Sequence, residues 1–243
     1  VRTHADIDNL SVQPAKESMP YIHDVIKLIR AELPKDIPLI GFGGAPFTLA
    51  SYAIEGKGSR NYVFVKQMMY GDTGAWHGLM EKITDTVIDY MNYQIDSGVQ
   101  AVQLFDSWVG TLSPSDYREY VMPHSQRMMK EITGRVPVIH FGTGNPALAP
   151  LMAEAGGDVL ALDWRTPLLE TWNATGVKSV QGNMDPIILC ADKASVKRKA
   201  KEVLDEVDGR PGHIFNLGHG IIPETPVENV KALVDFVHEY SAK

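Results

Sequence analysis

The sequence has 243 residues, 44% of them hydrophobic, with 23 Lys and Arg against 30 Asp and Glu and one cysteine. A chain of this length can bury a core without disulfides or structural metals. One cysteine excludes an internal disulfide and a four-cysteine zinc site, and it favours a reducing compartment such as the cytoplasm. The formal net charge of −7 argues against a nucleic acid partner. No apolar run approaches the ~18 residues that a membrane span requires.

Short apolar runs rich in β-branched residues recur along the chain and predict six strands. They occupy residues 37–42, 99–105, 136–141, 159–163, 177–182 and 212–217. Most of these runs are apolar almost without alternation, which is typical of parallel strands covered on both faces.

Helical patterns lie between these strands. Apolar spacing and capping residues predict helices at 20–33, 72–97, 113–134, 145–155, 191–207 and 226–240. The opening stretch, residues 1–13, is polar and is interpreted as part of a loop.

Strand–helix alternation over the whole chain predicts an α/β fold. Two architectures remain, an open doubly wound sheet and a (β/α)8 TIM barrel. The first strand leads into the segment GFGGAP, where Pro46 stands at the third glycine of a dinucleotide-binding fingerprint, which weakens the doubly wound alternative. We therefore expect a single domain over 1–243, a barrel of about six βα units whose first two units are missing from this chain.

Active sites of α/β folds gather at the carboxyl ends of strands, so the residues after each strand are the candidates. The glycine-rich segment 41–49 and Tyr52 follow the first strand, either as a ligand-binding turn or as a tight turn with a packing tyrosine. Thr48 is a candidate helix cap there. Asp106 and Ser107 follow the second strand, to contact a ligand or to satisfy loop amides.

Later strands end in further candidates. His140 is either an acid/base group or metal ligand, or a half-buried histidine bonded to a loop. Asp163 and Arg165 fit a structural ion pair better than catalysis. His219, between two glycines that permit unusual dihedrals, is the sharpest local signal in the chain, since histidine titrates near neutral pH.

Taken together, these strand-end segments resemble the uroporphyrinogen decarboxylase family. The matching stretches are 38–49 with Tyr52, 102–110 (VQLFDSWVG), 137–142, 162–165 (LDWR), 180–186 (VQGNMDP) and 212–226 (GHIFNLGHGIIPETP). They follow the family order, and the two longest are highly specific.

The resemblance implies a TIM barrel that works without cofactor or metal, as a homodimer, in the cytoplasm or in a plastid if the source is a plant or alga. The implied reaction removes four acetate carboxyls from uroporphyrinogen III to give coproporphyrinogen III and CO2. Tyr52 matches a substrate-pocket tyrosine, and Ser107 matches a serine that contacts a substrate carboxylate. His219 matches the pocket histidine and is our candidate catalytic residue. Arg60 and Arg165 are candidate cations for the substrate carboxylates.

The chain departs from the family pattern in one region. An arginine-rich R-Q-A-G-R motif and the aspartate of an F-S-D-I-L-type strand end are absent from the sequence. We therefore expect that the chain alone is not catalytically complete.

The sequence argues against one alternative function, a zinc-dependent methyltransferase. Related enzymes of that kind carry His-x-Cys where this chain has His140-Phe141-Gly142, and a second cysteine near the last strand end, where this chain has His219. The lone Cys190 lies elsewhere, so a thiolate zinc site cannot be assembled. A non-catalytic tetrapyrrole-binding protein is the second alternative.

Overall fold

The computed structural model describes residues 1–132 and 134–242. They form two compact units, Val1–Asp158 and Val159–Lys243, here called the N-terminal and C-terminal units. The single domain expected for 1–243 stays a prediction.

Helices and parallel strands alternate in the N-terminal unit. Its elements are α1 His4–Asp8, α2 Ala15–Ser18, α3 Tyr21–Glu32, β1 Ile40–Gly44, α4 Pro46–Glu55, α5 Val63–Gly71, α6 Thr73–Ser97, β2 Ala101–Asp106, α7 Pro114–Asp116, α8 Met122–Ile132, β3 Val138–Gly142 and α9 Ala149–Ala155. Single turns of 3-10 helix cover Val109–Thr111 and Pro146–Leu148, and a π-helical segment, Tyr117–Val121, joins α7 to α8.

The same alternation continues in the C-terminal unit. Its elements are β4 Val159–Ala161, α10 Leu168–Thr175, β5 Ser179–Met184, α11 Lys193–Val207, β6 His213–Leu217 and α12 Val227–Ser241, with a 3-10 segment at Pro186–Cys190.

Strand order confirms the predicted α/β class. In the N-terminal unit β2 pairs in parallel with β1 and with β3, and in the C-terminal unit β5 pairs in parallel with β4 and with β6. Neighbours in space are thus neighbours in sequence, as in a (β/α)8 barrel, whereas a doubly wound sheet reverses its order at a switch point.

Each unit has an apolar core beside its strands. In the N-terminal unit, Val102, Leu104 and Val138 of the strands pack with Met91 of α6 and Met128 of α8. In the C-terminal unit, Met184 packs with Leu189, Val196, Ala200 and Leu233. Burying these side chains is the main force that holds the helices against the strands.

The element boundaries agree with the predictions to within a few residues. β1 begins at Ile40 rather than at 37, because Pro38 lacks an N–H and Ile37 closes a turn onto the carbonyl of Pro34. The predicted helix 72–97 is α6, with Asp72 accepting a hydrogen bond from the Ala75 amide as its N-cap. Residue 133, inside the predicted helix 113–134, lies outside the described residues.

The opening residues are not the loop we expected. Residues His4–Asp8 form α1, started by a capping box in which Thr3 and Asp6 exchange side-chain and backbone hydrogen bonds. The pattern Thr-x-x-Asp is the local signal that predicts this helix start.

Candidate functional site

The carboxyl ends of β1 and β2 lie side by side in the N-terminal unit. The strands are parallel, with Gly44 paired to Phe105, so the segments that follow both strands emerge at one edge. α4 begins at Pro46, directly after β1, because proline is well suited to the first turn of a helix. The structure therefore brings the predicted segments 41–49 and 105–110 together.

Asp106, the last residue of β2, is fully buried. Its Oδ1 accepts a hydrogen bond of 2.9 Å from the Thr48 hydroxyl, whereas its Oδ2 has no hydrogen-bond partner among the described residues. Burial disfavours the charged form and raises the pKa of Asp106 to about 7, and the Thr48 hydrogen bond opposes this shift. Asp106 is therefore a buried structural carboxyl rather than an exposed ligand contact.

Thr48 does not cap α4, contrary to our expectation. The helix starts at Pro46 with Ala45 at the N-cap, which places Thr48 inside the first turn. Its hydroxyl donates to Asp106 and also accepts a hydrogen bond of 3.3 Å from the backbone N–H of Trp108. Thr48 thus connects α4 to the segment that contains Ser107.

Three aromatic rings pack together beside this segment, those of Tyr52, Tyr62 and Trp108. We call this group the aromatic shelf. The Tyr52 ring meets Trp108 edge-on, with centroids 5.9 Å apart, and Tyr62 lies 6.0 Å from Trp108 on a tilted plane. Burial raises the pKa of Tyr62 to about 12. Tyr52 remains 45% exposed, so part of its ring is open to a ligand.

The glycines of 41–44 serve packing. A Cβ on Gly43 would lie 2.7 Å from the Met91 methyl group, and one on Gly44 would lie 2.6 Å from Leu49 Cδ2. Both glycines therefore leave room for protein side chains, which favours a tight βα turn over close approach of a ligand.

His140 in β3 is fully buried, not half-buried. Burial lowers its pKa to about 4, so the imidazole is neutral near pH 7. A neutral ring without solvent access cannot exchange protons with a substrate, and His140 is therefore a core residue.

Asp163 and Arg165 form the structural ion pair that we expected in the C-terminal unit. The backbone and guanidinium of Arg165 donate to the two Asp163 oxygens at 3.0 and 2.9 Å, and Thr166 donates to Asp163 at 3.2 Å. Asn183, at the end of β5, binds the carbonyls of Asp163 and Thr166. Arg165 also borders an open groove of about 490 Å3, with residues of the β5 end and of α11 on its other sides.

His219 follows β6 in the C-terminal unit and is exposed. Its flanking glycines, Gly218 and Gly220, do not adopt left-handed conformations. Gly218 instead packs against backbone, since a Cβ there would lie 2.5 Å from the Trp164 nitrogen, whereas the space around Gly220 is open. The glycines therefore leave His219 accessible and let the β6 end lie against the residues after β4.

The structure groups part of the predicted site. Tyr52 contacts the residue next to Ser107, and both belong to the N-terminal unit, whereas His219 belongs to the C-terminal unit. That the three meet around one substrate stays a prediction. Sequence reasoning missed Thr48 as a link and Trp108 as the ring beside Tyr52. The position of Thr48 one helical turn before Tyr52 is the signal that relates them.

Residues 1–132 and 134–242 contain neither a metal-binding cluster nor a membrane-spanning helix. Their His, Cys, Asp and Glu side chains form no group of three arranged to hold a metal ion. None of the helices in these ranges combines the length and apolar character needed to cross a bilayer.

Comparison with known proteins gives consistent results. The family model "Uroporphyrinogen decarboxylase (URO-D)" matches residues 1–240. A uroporphyrinogen decarboxylase of Sorangium cellulosum is 53% identical over 98% of this chain and 69% of its own length. One from Carboxydothermus hydrogenoformans is 51% identical over 100% of this chain and 70% of its own length.

A solved structure supports the fold. A methyltransferase from Methanosarcina mazei superposes with a TM-score of 0.83 over 96% of this chain and 69% of its own, and at 22% identity this likeness concerns the fold alone. The family model and the relatives decide the classification: the chain belongs to the uroporphyrinogen decarboxylase family.

Proposed function

We propose that this protein removes the four acetate carboxyl groups of uroporphyrinogen III as CO2 and releases coproporphyrinogen III. The observation that carries the proposal is family membership over residues 1–240, which include every strand-end segment of the candidate site. Residues 106–108, here called the Ser107 turn, lie at the end of β2. The aromatic shelf and the Ser107 turn, at one edge of the N-terminal unit, supply apolar and polar contacts of the kind that a reduced tetrapyrrole requires.

The substrate itself can supply the electron sink. When a pyrrole ring is protonated at its α-carbon, the electron pair of the breaking C–C bond moves into that ring as CO2 leaves. A proton then adds to the exposed methylene carbon, giving a methyl group, and the ring loses its extra proton. Because the pyrrole accepts the electrons, the proposal invokes no cofactor or metal.

Tyr52 and Ser107 are assigned to substrate binding. The half-exposed ring of Tyr52, fixed edge-on against Trp108, offers an apolar face and a phenol. Ser107 lies between two residues that Thr48 holds, so its backbone is restrained, and its hydroxyl is proposed to donate to a substrate carboxylate. Both residues orient the substrate rather than transfer protons.

His219 is assigned as the catalytic acid. It is exposed on the segment after β6, and an imidazole can both donate and accept a proton in general acid–base catalysis. Its proposed role is to deliver a proton to the tetrapyrrole during decarboxylation.

Cationic side chains must attract a substrate with eight carboxylates against a net charge of −7. Arg60 is exposed, in the loop between α4 and α5 that leads to Tyr62. Arg165 is 47% exposed and stacks on Trp164 while it pairs with Asp163. We assign both to carboxylate recognition.

The proposal includes a homodimer acting in the cytoplasm, or in a plastid if the source is a plant or alga, with no nucleic acid or membrane partner. Light scattering of the purified protein tests the dimer, since a monomeric mass at micromolar concentration would contradict it. Cell fractionation tests the location.

The deciding experiment is an anaerobic turnover assay on the protein from the complete coding sequence. Uroporphyrinogen III is the substrate, and products are oxidised and separated by their number of carboxyl groups. Formation of the four-carboxyl product supports the proposal, and a chelator should leave the rate unchanged. Binding of uroporphyrinogen without any loss of CO2 would instead identify a tetrapyrrole-binding protein.

Variants then test the assigned residues. His219→Ala should slow turnover by about 100-fold and let partly decarboxylated intermediates accumulate, whereas His238→Ala, on the exposed side of α12, should not. Tyr52→Phe should lower kcat/KM by about 3-fold to 10-fold, with Tyr21→Phe of α3 as the control. Wild-type rates in His219→Ala or Tyr52→Phe would remove those residues from the site.

A further inference from the structure

One threonine hydroxyl holds both sides of Ser107. The Thr48 Oγ1 donates to Asp106 Oδ1 at 2.9 Å and accepts from the Trp108 N–H at 3.3 Å. A hydroxyl has one hydrogen to donate and lone pairs to accept, so it makes both bonds at once. Ser107 is the residue between these two attachment points, and the hydroxyl therefore restrains its backbone from both directions.

The same helix presents Tyr52. Thr48 and Tyr52 are four residues apart in α4, so they lie on the same face of the helix. The Tyr52 ring packs against Trp108, whose amide Thr48 binds. The helix, the Ser107 turn and the Tyr52 ring are thus connected through Thr48 and Trp108.

The bonds lie where water cannot compete. Thr48 and Asp106 are both buried, at 4% and 0% exposure, so an unmade bond would leave a buried polar group unsatisfied. This cost makes the geometry well defined, and a substrate has no direct access to either side chain.

We propose that Thr48 and Asp106 are positioning residues, which hold Ser107 and Tyr52 in one fixed arrangement for the substrate. The inference rests on the proposed function for its substrate. The pair does not touch substrate or move protons; it acts through Ser107 and through Trp108.

The test uses variants of Thr48 in the complete protein. Thr48→Val keeps the shape of the side chain and removes the hydroxyl, whereas Thr48→Ser keeps the hydroxyl. Ser51→Ala is the matched control, because the buried Ser51 hydroxyl donates to the Phe47 carbonyl of its own helix and has no second partner within the part of the chain that the structure describes. The kinetic expectation is a rise of at least 5-fold in KM for uroporphyrinogen in Thr48→Val, a smaller change in kcat, and values within 2-fold of wild type in Thr48→Ser and Ser51→Ala.

A double-mutant cycle separates positioning from general destabilisation. Because part of the effect of Thr48 passes through Ser107, Thr48→Val should raise KM by a smaller factor in a Ser107→Ala background than in the wild-type background. An equal effect in both backgrounds would overturn the proposal. A wild-type KM in Thr48→Val would also overturn it. All assays are run well below the melting temperature of each variant, so that unfolding does not contribute to the measured KM.

A readout without substrate keeps the inference distinct from the proposed function. Amide hydrogen exchange of Trp108, followed by NMR, should accelerate at least 10-fold in Thr48→Val and remain unchanged in Ser51→Ala. If exchange accelerates but the wild-type protein does not turn over uroporphyrinogen, the proposed function is wrong. The inference that Thr48 restrains residues 106–108 is then still supported. If exchange is unchanged, the positioning proposal is wrong whatever the activity.

Discussion

Gly110 offers a test of how tightly the segments after β2 and β3 pack. It lies in the 3-10 turn Val109–Thr111, and a Cβ built on it would lie 2.8 Å from Gly144 Cα and closer still to the Thr143 carbonyl oxygen. Both obstacles are backbone, which cannot move aside as a flexible side chain can. Gly110→Ala should therefore force the two segments apart.

The expected loss in the free energy of unfolding depends on which atoms the added methyl group would contact. Overpacking costs about 1–3 kcal/mol, and rigid backbone places Gly110→Ala near the upper end, at about 3 kcal/mol. At roughly 2–4 °C per kcal/mol for a protein of this size, the melting temperature should fall by about 6–12 °C. Gly43→Ala meets the flexible Met91 methyl group instead and should cost only about 1 kcal/mol.

Thermal unfolding followed by circular dichroism measures these differences. Gly71→Ala is the control, because a Cβ at this last residue of α5 would meet no heavy atom within 4 Å from the described residues beyond its chain neighbours and its own helix backbone, and its φ is not left-handed. Its melting temperature should stay within about 2 °C of wild type. A similarly small change in Gly110→Ala would refute the close packing of the two segments.

Three further outcomes are expected. Burial lowers the pKa of the His140 imidazole to about 4, so NMR should show a neutral ring down to about pH 5. The stability that the neutral ring contributes should be lost as pH falls from about 6.5 towards 4. Burial raises the pKa of Asp106 to about 7, so the folded state holds this proton below that pH, and the contribution of Asp106 to stability is lost as pH rises from about 4 to 7. Asp106→Asn should flatten this part of the dependence of the free energy of unfolding on pH, measured by urea denaturation. Leu104→Ala, at a fully buried core position, should lower the free energy of unfolding by about 2–5 kcal/mol, whereas a loss below 1 kcal/mol would contradict its place in the core.

Local patterns in the sequence determined the α/β class, the approximate position of each strand and the segments that follow the strands. These features depend on apolar periodicity and on proline, glycine and capping residues, which act over a few neighbouring residues. The same segments, with their order and spacing, were sufficient to identify the family.

Tertiary structure decided what individual residues do within those segments. Thr48 and Asp106 are 58 positions apart, and only the pairing of β1 with β2 brings them together. Burial, which makes His140 neutral and closes Asp106 to solvent, is likewise set by elements distant in sequence. Side-chain type indicated candidate chemistry at these positions, but pKa and access depend on the surroundings that folding assembles.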